Sequence, residues 1–104
     1  MIPLIESKRP EIAELCRRFH VRKLEIFGSA ARGTDFDPKR SDVDFLVEFD
    51  RTHPDATSFA KYLDFKESLE ALLGRSVDLV NPNTIENPYL RAAIDRSRQA
   101  VYGA

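Results

Sequence analysis

Two groups of residues in this chain are spaced for work on phosphates. Gly28-Ser29 follows the apolar run Leu24-Glu25-Ile26-Phe27. Twelve residues separate Ser29 from Asp42, and Asp42-Val43-Asp44 opens a second apolar run, Phe45-Leu46-Val47-Glu48-Phe49. Side chains on a strand alternate between faces, so Asp42 and Asp44 should point the same way, with Val43 opposite. Two carboxylates on one face suit Mg²⁺, a hard cation that takes oxygen ligands and keeps several waters. Gly28 lets the backbone approach a phosphate closely, and Ser29 adds a hydroxyl donor. A helical turn beginning at Ser29 would aim further N–H groups at an anion, and Arg32 could reach the same phosphates with its fork of donors. The combination describes phosphoryl or nucleotidyl transfer.

A third carboxylate, Asp78, lies in Ser76-Val77-Asp78-Leu79-Val80, a run expected as a neighbouring strand. The other residues of that strand should be buried, and an acid among them is costly unless paired or metal-bound. Carboxylates so placed could bridge two ions ~3.5–4 Å apart that clamp the attacking and leaving oxygens. Singly, each element is ordinary. Gly-Ser marks a turn, Asp-x-Asp a loop end or cap, and Asp78 could pair with Arg75. Their order along the chain is what makes the set informative.

These residues need a scaffold. Ile12, Leu15, Cys16 and Phe19 fall at i, i+3, i+4 and i+7, which predicts a helix over Pro10–Phe19, with Pro10 in its first turn and His20 ending it. Val21–Phe27 reads as a strand, with Leu24 and Ile26 on one face. Ala30-Ala31-Arg32 suits a single helical turn, and Thr34–Ser41 a polar loop. The strand over Asp42–Phe49 has one apolar face (Val43, Phe45, Val47, Phe49) and one mostly acidic. A loop over 50–57 precedes a helix over Ser58–Leu73, whose expected buried stripe is Phe59, Tyr62, Leu63, Leu69, Leu72 and Leu73. Gly74 stands where a helix ends in left-handed geometry. After the third strand, Asn81-Pro82-Asn83 turns the chain, Asn87-Pro88 starts a last helix with Tyr89, Leu90, Ala93 and Ile94, and Ala100-Val101-Tyr102 suits an edge strand. The order predicts an α/β (α+β) fold, a small mixed sheet with helices packed on it.

At 104 residues the chain is expected to form one domain, 1–104, with a modest core. A formal charge of −1 gives no electrostatic reason for wholesale nucleic-acid binding. Basic residues cluster at Lys8, Arg9, Arg17, Arg18, Arg22 and Lys23 and at Arg91, Arg96 and Arg98, as solvated helix faces do. The one cysteine, Cys16, falls on an apolar face and reads as a buried thiol. His20 and His53 read as structural or solvated, and Tyr62, Tyr89 and Tyr102 as core or interface aromatics. No signal-peptide core and no apolar run of about 20 residues is visible, which points to a cytoplasmic protein.

Phe27-Gly28-Ser29-Ala30-Ala31-Arg32-Gly33, Ser41-Asp42-Val43-Asp44-Phe45-Leu46-Val47 and Gly74-Arg75-Ser76-Val77-Asp78-Leu79-Val80 together resemble the minimal nucleotidyltransferases of the DNA polymerase β superfamily. The resemblance spans roughly residues 10 to 102. It implies the polymerase β-like fold, Mg²⁺ on Asp42, Asp44 and Asp78, and ATP at the turn that carries Gly28, Ser29, Arg32 and Gly33. It also implies that Asp78 helps to deprotonate the attacking hydroxyl. The loop between Ser29 and Asp42 is two residues longer than the family commonly has. Members of this short type act as antitoxins, transferring AMP from ATP to a tyrosine of a HEPN-domain RNase toxin, so a hetero-oligomer with such a toxin is implied. Two rivals stand beside this reading. One is an antitoxin that neutralises by binding alone. The other is a nucleotidyltransferase for RNA or a small molecule, against which near-neutral charge and the lack of a second domain argue.

Overall fold

The structure, a computed structural model, describes residues 1–34, 36–37, 42–53 and 58–103. The first helix, α1 (Pro3–Arg18), turns Ile5, Ile12 and Cys16 inward. It begins at Pro3 rather than at Pro10, so Pro3 takes the first-turn place and Pro10 lies inside the helix. Pro10 removes the bond that its N–H would make to the Glu6 carbonyl. Both residues are on an exposed face, where water can take that place. The helix ends before His20, which adopts left-handed geometry (φ 59°) and stacks on His53 with ring centroids 3.4 Å apart.

Strand β1 (Val21–Phe27), the short helix α2 (Ser29–Arg32) and strand β2 (Val43–Phe49) follow. Then come α3 (Phe59–Leu73), β3 (Val77–Val80), a single 3₁₀ turn (Pro82–Thr84), α4 (Pro88–Ser97) and β4 (Gln99–Tyr102). The loop expected over Thr34–Ser41 and the end of that over 50–57 lie largely outside the described residues. The strands form a mixed sheet in the order β3-β2-β1-β4. β1 runs antiparallel to β2 and β4, and β2 runs parallel to β3.

Register decides which residues share a face. Leu24 lies opposite Val47 and Ile26 opposite Phe45, while Phe45 neighbours Leu79. This face is the core, closed by Ile5, Ile12 and Cys16 of α1 and by Phe65, Leu69 and Leu73 of α3. Phe65 stands at its centre, with the Phe19 ring 5.6 Å and the Phe49 ring 5.9 Å away. Burial pushes the Cys16 thiol up to about 12, so it is inert at neutral pH.

The α3 stripe differs from the expected one. Phe65, Leu69 and Leu73 face inward, whereas Phe59 is 72% exposed and Leu63 is also exposed. Phe59 lies six residues before Phe65, well round the helix from it at about 100° per residue. Gly74 closes α3 at φ 68°, as expected. On α4 only Ile94 and Ser97 are buried. Tyr89 is 85% exposed and is not a core aromatic.

The opposite face of the sheet carries Glu25, Phe27, Asp44, Leu46, Asp78 and Val80 by alternation and register. Helices α1 and α3 do not cover it; α4 packs near its β1 side. That half-open face positions the candidate site. Basic residues of the first segment are largely matched by acids, with Arg17 on Glu14, Arg22 on Glu48 and Lys23 on Glu25.

Candidate active site

β1 ends at Phe27, and Gly28 takes φ 73°, ψ −152°, a region open essentially to glycine alone. The chain thereby swings from the strand into α2. The Gly28 carbonyl accepts the N–H groups of Ala31 and Arg32, each at 3.1 Å. Gly33 closes the turn at φ 77°, its N–H donating to the Ser29 carbonyl at 2.8 Å. The N–H of Gly28 donates to Ser97 Oγ at 3.0 Å. Among the described residues, the N–H groups of Ser29 and Ala30 and the Ser29 hydroxyl donate to nothing. The turn therefore presents two adjacent amides and a hydroxyl, a donor set that fits phosphate oxygens.

Asp44 sits on β2 opposite Phe27 of β1 and beside Asp78 of β3. Its carboxylate lies against Gly28: a Cβ on that glycine would come within 2.9 Å of Asp44 Oδ2. Asp44 is half-buried, and Asp42, one residue ahead of β2, is exposed. Burial pushes the Asp44 carboxyl up to about 6. The charges of Asp78 and Asp42 push the same way, and Arg32 opposes them. Two acids and one guanidinium therefore act on Asp44 beside the turn. Among the described residues neither Asp44 nor Asp78 forms an ion pair.

The reason expected for Asp78 needs correcting. It is exposed, not buried among apolar neighbours. β3 is an edge strand whose Val77 and Leu79 face the core while Asp78 faces the open side. Of the three carboxylates, the partly buried one is Asp44. All the expected site residues are nevertheless brought to one end of the sheet: Gly28, Ser29, Arg32 and Gly33 on the turn, Asp42 and Asp44 at the start of β2, and Asp78 next to Asp44.

Sequence reasoning missed the joint between α4 and β4. Ser97 accepts the Gly28 N–H, and Gln99 Nε2 donates to the Ala31 carbonyl at 3.3 Å. Between them, Arg98 grips Glu25 with two bonds of 2.6 and 3.0 Å. A serine and a glutamine at the end of a helix carry no signal in isolation. Only the folded sheet, with β4 beside β1, brings them to the turn.

Residues 11–101 match the nucleotidyltransferase domain family. The chain belongs to this family. This nucleotidyltransferase is 38% identical over 89 residues to the protein adenylyltransferase MntA of Thermococcus cleftensis, covering 86% of this chain and 81% of that one. Among solved structures it is similar to one described provisionally as a minimal nucleotidyltransferase. That likeness has a TM-score of 0.69 at 31% identity over 90% of this chain and 89% of the other. It also resembles a chain in the tri-AMPylated Shewanella oneidensis HEPN toxin complex with MNT antitoxin, with a TM-score of 0.63 over 96% of this chain and 73% of the other. At 18% identity that likeness is one of fold. The mixed sheet flanked by helices is thus the minimal nucleotidyltransferase architecture. No helix among the described residues is long and apolar enough to cross a membrane.

Proposed function

We propose that this nucleotidyltransferase is a Mg²⁺-dependent protein adenylyltransferase acting as an antitoxin, and that it moves AMP from ATP to a tyrosine of a HEPN-domain toxin in the cytoplasm. The observation that carries this reading is the contact between Asp44 and Gly28, which sets a carboxylate directly beside a turn with unused donors. The relative named protein adenylyltransferase MntA supports the reaction, and the fold shared with a chain of the HEPN toxin–MNT antitoxin complex supports the partner.

In this reading the N–H groups of Ser29 and Ala30, the Ser29 hydroxyl and Arg32 take the phosphates of ATP, and Gly33 closes the turn that presents them. Asp42, Asp44 and Asp78 would hold Mg²⁺. Among the described residues no three acidic, histidine or cysteine side chains enclose an ion by themselves. That open set fits Mg²⁺, which binds one or two carboxylates and completes its shell with water and substrate phosphates. Burial raises the Asp44 carboxyl first, and the charges of Asp78 and Asp42 add to it; a cation there would balance that acidic charge. When bound it supplies neutralisation of phosphate charge and acidification of the attacking hydroxyl.

Asp78 is open to solvent, as Asp42 is, and in this reading Asp78 is the one that takes the acceptor's proton. The tyrosine oxygen forms a bond to the α-phosphorus as its proton passes to Asp78. The bond from the α-phosphorus to the bridging oxygen breaks, and pyrophosphate leaves. The test is intact-mass analysis of a HEPN-domain partner incubated with the chain, ATP and Mg²⁺. One or more added AMP groups, mapped to tyrosine and absent with Asp42→Asn/Asp44→Asn, support the reading. Full neutralisation by that double variant with no mass change makes the chain a binding antitoxin instead.

A further inference from the structure

Three consecutive residues at the α4–β4 joint reach the neighbouring strand β1 and the turn that follows it. Ser97 is buried, and its hydroxyl hydrogen is directed at the Ile94 carbonyl (3.3 Å), which leaves an oxygen lone pair for the Gly28 N–H. Arg98 clamps Glu25 of β1 and also Asp95 of its own helix. Gln99 holds the carbonyl of Ala31. From the other side, the N–H of Ile2, ahead of α1, holds the Ala30 carbonyl at 2.9 Å. The turn thus has its first N–H and two of its carbonyls tied to distant segments, while the donors of Ser29 and Ala30 stay unused. A peptide unit held at both ends in this way presents its remaining N–H groups at fixed angles, and preorganised donors bind without an ordering cost.

We propose that Ser97 and Gln99 are positioning residues, which hold the Gly28–Arg32 turn against Asp44 so that the Ser29 and Ala30 amides are set for a nucleoside triphosphate. The proposal rests on the nucleotide reading of that turn. Ser97 fixes where the strand stops, because its bond lands on the residue against which Asp44 packs. Gln99 fixes how α2 is rotated, because its bond lands at the third residue of that four-residue helix. Both act through the turn they hold.

The test compares the wild-type chain with Ser97→Ala, Gln99→Ala and Ser97→Thr. Calorimetric binding of a non-hydrolysable ATP analogue with Mg²⁺, the KM and kcat for ATP, hydrogen exchange at the Gly28 amide and the melting temperature are measured. Each alanine variant should raise Kd and KM by about three- to tenfold, the size of one hydrogen bond's net worth, with kcat changed less than about twofold. Ser97→Ala should speed exchange at Gly28, and Ser97→Thr, which keeps the acceptor oxygen, should restore both readouts. If wild type binds the analogue and both alanine variants match it within about twofold, the positioning role is wrong. It is also wrong if affinity falls only in step with melting temperature and threonine does not rescue it. If the wild-type chain does not bind the analogue at all, the nucleotide reading falls, and the positioning role with it.

Discussion

The Asp44 carboxylate packs against the bare Cα of Gly28, closely enough that a methyl group there would sit 2.9 Å from Oδ2. One contact therefore joins the two halves of the site, the donor-bearing turn and the acidic strand. It also gives Gly28 two separate reasons to be glycine. Its φ of 73° with ψ −152° is strained for any other residue, and the space for a side chain is taken. Gly28→Ala should cost about 1–3 kcal/mol in denaturant unfolding and should abolish AMP transfer even at temperatures where the chain stays folded. Transfer at more than a tenth of the wild-type rate would show that the contact is dispensable.

Asp44 is held against its own ionisation. Its folded-state value is raised from 3.8 to about 6 by burial, then by Asp78 and Asp42. The sign follows: stability from the neutral carboxyl is fully present below its unfolded value and is lost as pH rises through about 6. Asp44→Asn should therefore leave the metal-free chain slightly more stable at pH 7. Since the group is half exposed and screened, the gain should be about 0.5 kcal/mol or less. The same change should lower transfer by a factor of about 1,000, the scale on which lost transition-state charge stabilisation is felt. A variant that is less stable and still active would contradict both halves.

Glu25 works in the opposite direction. Its two hydrogen bonds from Arg98, and then the charges of Arg98 and Lys23, hold its carboxyl below its ordinary value of 4.5, although burial opposes them. That stability is present above about 4.5 and is lost as pH falls through the lowered folded value. Glu25→Gln should cost about 1–3 kcal/mol at pH 7, with the deficit shrinking on the acid side. Urea titrations between pH 3 and 7 would show the two curves converging, and parallel curves would rule out the linkage.

The revised α3 stripe can be checked by a pair of substitutions. Phe65→Ala, at the centre of the core, should cost about 3–5 kcal/mol and is expected to leave the chain largely unfolded at 37 °C. Phe59→Ala, at a residue 72% exposed, should change stability by about 0.5 kcal/mol or less. Circular dichroism melts distinguish the two. Equal losses would mean that Phe59 is packed.

The contrast shows what the chain discloses before it folds. Period-2 alternation placed β1 and β2 correctly, because Leu24, Ile26, Phe45 and Val47 each face a helix layer. The Gly-Ser and Asp-x-Asp spacings led to residues that do meet. Long helices were harder: α3 contains more apolar residues than its buried face needs, so Phe59 and Leu63 looked as inward as Leu69. Pro10 reads as a start because proline suits first turns, yet it lies inside α1, where the exposed side leaves the Glu6 carbonyl to water. The burial expected around Asp78 is one that an edge strand does not impose. The parts that stayed hidden depend on pairings far apart in sequence. Ser97 with Gly28, Gln99 with Ala31 and the His20–His53 stack are set by strand order and loop return, and no local pattern encodes them.

The proposed function makes the Gly28 turn and the Asp42, Asp44 and Asp78 carboxylates one site that moves the α-phosphoryl end of ATP onto a protein. The most direct measurement follows label from two ATP samples, one marked at the α-phosphate and one at the γ-phosphate, onto a HEPN-domain partner with Mg²⁺ present. α-Label alone should appear on the partner, with release of pyrophosphate, and Asp44→Asn should abolish it. Transfer of γ-label, or undiminished α-label transfer by Asp44→Asn, would contradict the proposed function.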